Sequence, residues 1–351
     1  HELYGAAPGG EVDLSDAPLL IDRFLEGAVE VDIDGVYDGS ELYVGAVMEH
    51  VEEAGVHSGD SACVVPPPTL SRAIVDEIID YTTRLASALE VRGLLNIQFA
   101  VRGEEVFALE ANPRASRTVP FISKATDVPL AKVATRVMMG ETLGELRAAG
   151  LIPGRRSAAD YVAVKEAVLP WSRFPGEDTL LGPEMRATGE VMGIGGDVGI
   201  AYAKALLAAG HEIPAGGTLF LSLSDRDKQA GVEVARIFSS IGFRVLATHG
   251  TAGHLARNGI SATHVDKVGE GPYDPVRLLE DGDIDLVVNT PRGRRARGDG
   301  GLIRRAASRH GVACATTIQG GMAIARSLQT GGGAVTAVRS LQSHHQAVRR
   351  G

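Results

Sequence analysis

The chain has 351 residues, 44% of them apolar and 23% charged, with a net charge of −9. That is room for two ordinary domains of globular composition, and the acidic balance speaks against a general nucleic-acid binder while leaving scope for a local anion site. No run of about 18 apolar residues exists to span a membrane as a helix, and two widely separated cysteines, Cys63 and Cys314, argue for a reducing, cytoplasmic setting without a disulfide framework.

The opening His1-Glu2-Leu3-Tyr4 has neither the basic nor the apolar stretch of a secretory signal and no initiator Met, so the chain reads as cut from something longer. Residues 20–24 and the run from Glu30 alternate as strands do, and 42–48 reads as another strand. Residues 69–89 carry apolar positions at helical spacing, with Thr69 and Ser71 as N-cap candidates. Residues 96–112 read as a hairpin turning at Arg102-Gly103-Glu104, and 129–139 as a helix closed by Gly140. From 141 to 210 the pattern is irregular, apart from a strand at 161–169 and an Ala-rich helix at 198–209. Residues 210–217 have the composition of a linker. Beyond them come a strand (218–223), a helix (227–241), a strand (244–247) and a Gly-Thr loop at 248–251, then strands at 284–289 and 312–316 flanking a helical stretch at 302–308. The expected fold is α/β: an α+β unit followed by a doubly wound, Rossmann-like domain with a parallel sheet. Residues from Ser343 onward read as a polar, frayed tail.

The hairpin carries the clearest chemistry. A turn at Gly103-Glu104 sets Gln98 opposite Glu110, and Asn112 shares the face of Glu110 because strand side chains repeat every second residue. One carboxylate and two amide oxygens are hard ligands suited to Mg²⁺ or Mn²⁺ with nucleotide phosphates completing the shell. Arg114 and Arg117 follow at once, where a guanidinium can clamp a phosphoryl group. An ordinary hairpin with a polar outer face has about even odds on these residues alone. The Gly-bounded loop 54–60 lets backbone amides approach a ligand, and Glu30 can accept ribose hydroxyls, though turn-rich loops and solvated edge-strand glutamates are common.

Later in the chain, Asp227-Lys228, Thr248 to Thr251, Lys267, Asn289-Thr290, Arg294-Arg295 and Thr316-Thr317 follow strands. In an open α/β sheet such loops gather at the carboxyl ends of the strands around a phosphate-sized anion, although each residue singly is a usual turn residue.

Together, residues 22–34, 55–62, 96–100, 109–126, 164–170 and 181–193 resemble the second ATP-grasp unit of the carbamoyl-phosphate synthase large subunit. The resemblance implies an ATP-grasp part at 1–140, a connecting region at 141–210 and a methylglyoxal-synthase-like allosteric domain at 211–351. It implies phosphorylation of carbamate by ATP, with Mg²⁺ or Mn²⁺ and K⁺ as a further option, for arginine and pyrimidine synthesis. By the same likeness Arg23, Leu25 and Glu30 line the adenosine pocket and Gly55, Val56, His57 and Ser58 border the nucleotide. Gln98, Glu110 and Asn112 hold the metal ions, Gln98 and Glu110 touching the nucleotide too, while Arg114 and Arg117 face the transferred group. Lys228, Thr248, Thr251, Lys267, Asn289 and Arg294 are expected to bind UMP or IMP, with Pro291 a departure where Thr is usual. Glu52, Asp60 and Glu166 are expected to take the amino groups of ornithine and Thr316 its carboxylate, with Cys314 where Tyr is frequent. A glutamine amidotransferase is the expected partner, and the C-terminal domain a surface for self-association. The phosphate flap of the family is not found before Pro18, so the 351 residues alone are expected not to turn over. The competing expectation is a nucleotide-sensing regulatory module without catalysis.

Overall fold

The computed structural model describes residues 25–154, 161–174, 177–290, 293–329 and 337–350, and for residues 172, 293–297 and 347–350 the backbone alone. Arg23, the expected strand at 20–24 and Pro291 lie outside the described residues, as does the side chain of Arg294.

Seven strands form the first sheet: β1 (Val29–Tyr37), β2 (Leu42–Glu53), β3 (Cys63–Val65), β4 (Gly93–Arg102), β5 (Glu105–Asn112), β6 (Val162–Val168) and β7 (Gly189–Gly195). Their order is β5-β4-β1-β2-β3-β6-β7, and every pairing is antiparallel. The helices of this part are α1 (Arg72–Ala88), α2 (Val119–Thr126), α3 (Leu130–Met138), α4 (Leu143–Ala148) and α5 (Val198–Ala208). Alternation along β1 divides the sheet into two chemistries. Val31 and Ile33 join Leu95, Ile97 and Phe99 of β4 under Ile74 and Ile78 of α1. The intervening Glu30, Asp32 and Asp34 are buried acids on the opposite face. Glu30 therefore sits on an interior strand, not on a solvated edge.

β6 and β7 come from the stretch read as a connecting region, and they extend the same sheet beyond β3. α5 packs on them closely. Gly193 and Gly195 of β7 face the α5 backbone, so a Cβ at Gly193 would overlap the carbonyl of Ala201.

The second sheet is parallel, with β8 (Thr218–Leu223), β9 (Arg244–Thr248), β10 (Thr263–Val265), β11 (Leu286–Thr290) and β12 (Ala313–Ala315) in the order β10-β9-β8-β11-β12. Its helices are α6 (Lys228–Ser240), α7 (His249–Arg257), α8 (Pro275–Glu280), α9 (Gly293–Arg309), α10 (Ile318–Gln329) and α11 (Leu341–Arg350). Val232, Phe238 and Ile324 of α6 and α10 cover one face, Leu279 and Ile303 of α8 and α9 the other. This is the doubly wound arrangement, with its topological switch between β8 and β11. The core under α6 and α10 continues through Ala201, Tyr202 and Ala205 of α5 to Val51, Val64 and Val164 of the first sheet.

Two local expectations are corrected. Residues 249–251 are the first turn of α7, with Thr248 at the N-cap, because the run that follows keeps helical spacing and Leu255 drops into the core. The expected frayed tail is α11, held against the first half: His345 contacts the Asp127 carboxylate at 3.0 Å and the Lys124 carbonyl at 2.6 Å, and the ring of His344 meets Tyr161 edge-on.

Candidate functional site

The hairpin forms in the expected register. Gln98 pairs with Glu110 and Asn96 with Asn112, with one irregularity between Gln98 and Phe99. Asn112 Nδ2 donates to Glu110 Oε1 at 2.7 Å, and Gln98 Nε2 donates to Ser58 Oγ at 2.8 Å. Both contacts use amide nitrogens and leave the Gln98 and Asn112 amide oxygens as acceptors. The wall is therefore a carboxylate beside two amide oxygens, a donor set that fits Mg²⁺ or Mn²⁺ once phosphate oxygens join it. Among the described residues no group of three His, Cys, Asp or Glu side chains is placed to hold a metal by itself.

Gln98 and Glu110 line a cavity of about 440 Å³, while Asn112, bonded to Glu110, is outside its lining. His57, Ser58, Arg114 and Arg117 also line it, with Asp32, Asn96, Lys165 and Glu190, which the sequence reading had not named. Arg117 donates to the Ala187 carbonyl at 3.5 Å and to the Met185 sulfur at 3.0 Å, and lies 3.9 Å from Glu190. Arg114 rests on the Ala115 carbonyl. Lys165 is wholly buried, its Nζ 3.2 Å from the Ser58 carbonyl. His57 Nδ1 accepts from Gly59 N at 3.0 Å, which fixes the loop tip. Glu30 instead accepts from Gly55 N at 3.3 Å behind that loop and lies 4.0 Å from His50. Leu25 and Val56 do not line the cavity.

One line of paired residues runs across the strands from the cavity wall at Glu110 to Lys165. Glu110 pairs with Gln98, Gln98 with Asp32, His50 with Cys63 and Cys63 with Lys165. His50 Nε2 bridges the remaining step, 3.7 Å from Asp32. Burial opposes a charge on His50, but the neighbouring Cys63 and Asp32 outweigh it and hold its pKa well above the usual histidine value. Burial likewise lifts Asp34 to about 6, against hydrogen bonds from Thr118 and Ser116.

Glu52 and Glu166 face one another beneath the second half. Glu52 accepts from Ala62 N at 2.6 Å, and Glu166 Oε1 from Ala167 N at 3.1 Å, while Glu166 Oε2 is buried without a partner. Burial, then the Glu52 carboxylate, push Glu166 up to about 8. Asp60 instead accepts the backbone amides of Arg186 and Ala187 at 2.7–3.0 Å. Thr316 directly follows β12.

A second cavity of about 410 Å³ opens at the carboxyl ends of β8, β9 and β11. Thr248, Lys267 and Asn289 line it, together with Ser222, Ser224 and Thr290. Lys228 is outside its lining and reaches Asp225 at 2.5 Å, while the Thr251 hydroxyl bonds Leu223 N at 3.2 Å inside the core.

Residues 6–146 match the family described as carbamoyl-phosphate synthase L chain, ATP binding domain, and residues 230–316 match the MGS-like domain. The carbamoyl phosphate synthase large chain of Rubrobacter xylanophilus is 53% identical over 94% of the chain, which spans 31% of that relative. The chain belongs to the carbamoyl phosphate synthase large-chain family. Proteins named as C-terminal sections of the large chain match as well, from Methanocaldococcus jannaschii (49% identical, 89% of this chain and 52% of the relative) and Aquifex aeolicus (46%, 90% and 61%). The chain thus spans between about a third and three fifths of these large-chain relatives. Strands β1 to β5 fall within the ATP-binding match and β9 to β12 within the MGS-like match, while β6, β7 and β8 lie outside both.

Proposed function

We propose that this chain supplies the metal-bearing wall of an ATP-grasp site that phosphorylates carbamate in a glutamine-dependent carbamoyl-phosphate synthase. The observation that carries the proposal is the convergence of Gln98, Glu110, Arg114 and Arg117 on one cavity, with Asn112 bonded to Glu110 beside it. Gln98, Glu110 and Asn112 would hold Mg²⁺ or Mn²⁺, which supplies charge neutralisation for the phosphates of ATP. Arg114 and Arg117 neutralise and orient the transferred phosphoryl group, the main demands of this chemistry. Lys165 adds a third cation and holds the Ser58 carbonyl, so the loop stays against Gln98. A large family chain works with a glutamine amidotransferase subunit, which we take as the partner of the full-length protein.

The crevice of the parallel sheet is read as the site of a nucleotide monophosphate such as UMP or IMP, and the Glu52–Glu166 pair as the recognition site for the amino groups of ornithine. Paired buried carboxylates suit a diamine end, which would relieve their repulsion.

The test is ATP formation from ADP and carbamoyl phosphate by the full-length protein. Glu110→Gln should lower kcat by about 100-fold or more, the size expected when a charge that acts on the transferred group is removed. Unchanged turnover in that variant would overturn the assignment. The same assay on the 351 residues alone is expected to give no turnover. Glu166→Ala should remove the response to ornithine while UMP still binds; joint loss of both would merge the two effector sites.

A further inference from the structure

Arg304, near the middle of α9, is the largest wholly enclosed side chain among the described residues. Its guanidinium makes three hydrogen bonds that join the two sheets. Nε and Nη2 donate to the two carboxylate oxygens of Asp178, each at 2.6 Å, and Nη1 donates to Asn289 Oδ1 at 2.8 Å. Asn289, the residue before the last of β11, lines the effector crevice; its amide nitrogen is the end that Arg304 does not take. Asp178 belongs to the segment between β6 and β7, in the other half of the chain.

That segment runs on to the phosphate cavity. The Asp178 carboxylate also accepts from Leu180 N at 3.0 Å, and its carbonyl accepts from Arg186 Nη1 at 3.2 Å. The Gly182 carbonyl accepts from His57 N at 2.8 Å, and Met185 and Ala187 supply the acceptors of Arg117. Residues 178–187 therefore meet the floor of the crevice at one end and a phosphate-facing arginine at the other. A forked guanidinium in a fully enclosed site has a single geometry, so a shift of Asn289 is passed to Asp178 and not absorbed.

We infer that Arg304 is a positioning residue that couples occupancy of the effector crevice to the placement of Arg117, through residues 178–187. The inference rests on reading the crevice as an effector site. A ligand that recruits the Asn289 amide biases the position of Arg304, and the carboxylate of Asp178 follows it. Coupling between sites needs a connected physical element that both sites bias, and this segment is one.

Hydrogen exchange of the full-length protein, with and without saturating UMP, separates this from a purely structural staple. In the unaltered protein UMP should slow exchange at 222–225 and 289–290, and should change it by about fivefold or more at 180–187. Arg304→Lys keeps the charge and loses the fork. It should still show protection at 222–225 with UMP but no response at 180–187. Asp178→Asn, which changes no volume, should behave alike and carries the test if the lysine variant does not fold. The double variant should add nothing to either single one. A response at 180–187 that survives in both variants, with the crevice still protected, overturns the coupling. Absence of UMP protection at 222–225 in the unaltered protein overturns the effector reading itself, and the inference with it.

Discussion

Glu166 shows how a single side chain can tie stability to pH. Its carboxyl is enclosed beside Glu52 and holds its proton to about pH 8, whereas in an unfolded chain it loses it near the ordinary glutamate value. Between those limits the folded state binds more protons than the unfolded one, so stability falls as pH rises and levels off above about pH 8. The slope from one such group is at most about 1.4 kcal/mol per pH unit. Glu166→Gln removes it, so the variant should gain on the unaltered protein between pH 5 and pH 8 in urea-unfolding midpoints. A constant difference across that range would contradict the enclosed carboxyl. Legibility at this scale was uneven. Gln98 and Glu110 were expected to pair, but the turn alone, closing Arg102 on Glu105, would set Gln98 opposite Leu109; the irregularity between Gln98 and Phe99, which no sequence pattern announces, brings Glu110 there. Asp32 and Asp34 were not readable, because alternating acids look like a solvated face until α2 and α3 are seen to cover that side of the sheet. Lys165 was hidden for a similar reason: nothing local in its strand announces that the Ser58 carbonyl, 107 positions away, receives its ammonium.

Among the elements, β7 and α5 set the tightest tolerance. Gly193 is free of strained φ yet has no room for a methyl group, since the α5 backbone passes over it. Gly193→Ala should cost about 3 kcal/mol or more, the upper range of overpacking, because backbone and not a flexible side chain must give way. Thermal unfolding would show it as a large drop in Tm, and Gly196→Ala, with nothing within 4 Å, serves as the control. A gentler device closes the β1–β2 turn. Asp38 accepts from the amides of Ser40, Glu41 and Leu143, which holds α4 to the sheet and, against burial, lowers its carboxyl to about 2. Stability from this group is present above the usual aspartate pKa and is lost as pH falls toward about 2. Asp38→Ala should therefore be less stable at pH 7, with the difference shrinking in acid. Some strands and helices were readable from their periodicity: residues 218–223 are β8, and 198–209 became α5 within a residue, whereas β7 went unread in the stretch that looked irregular. The three-residue strands β3 and β10 were missed, as too few positions repeat to reveal a period.

For the whole molecule, the decisive feature is the packing of α5 against α10. The hydrophobic core passes from Leu221 and Ile324 through Ala201 to Val64 without interruption. Arg226 also pairs with Glu53 across the two halves, and α11 returns to the first. Composition marked residues 210–217 as a seam, and they are irregular and largely open to solvent. Contacts distant in sequence erase that seam, which no local pattern can report. Urea should accordingly unfold both sheets in a single transition, followed by the far-ultraviolet signal and by the fluorescence of Trp171, which lies beside α9 in the first half's β6–β7 segment. Two separated midpoints would refute a common core. The same packing bears on how the chain withstands cutting. A protease that nicks the exposed stretch at 210–217 breaks a covalent bond but removes no buried contact, so the two pieces should stay together until denaturant parts them. Pieces made separately, one ending and one beginning there, each carry an uncovered apolar face shaped for the other and should reassemble from solution into the intact shape.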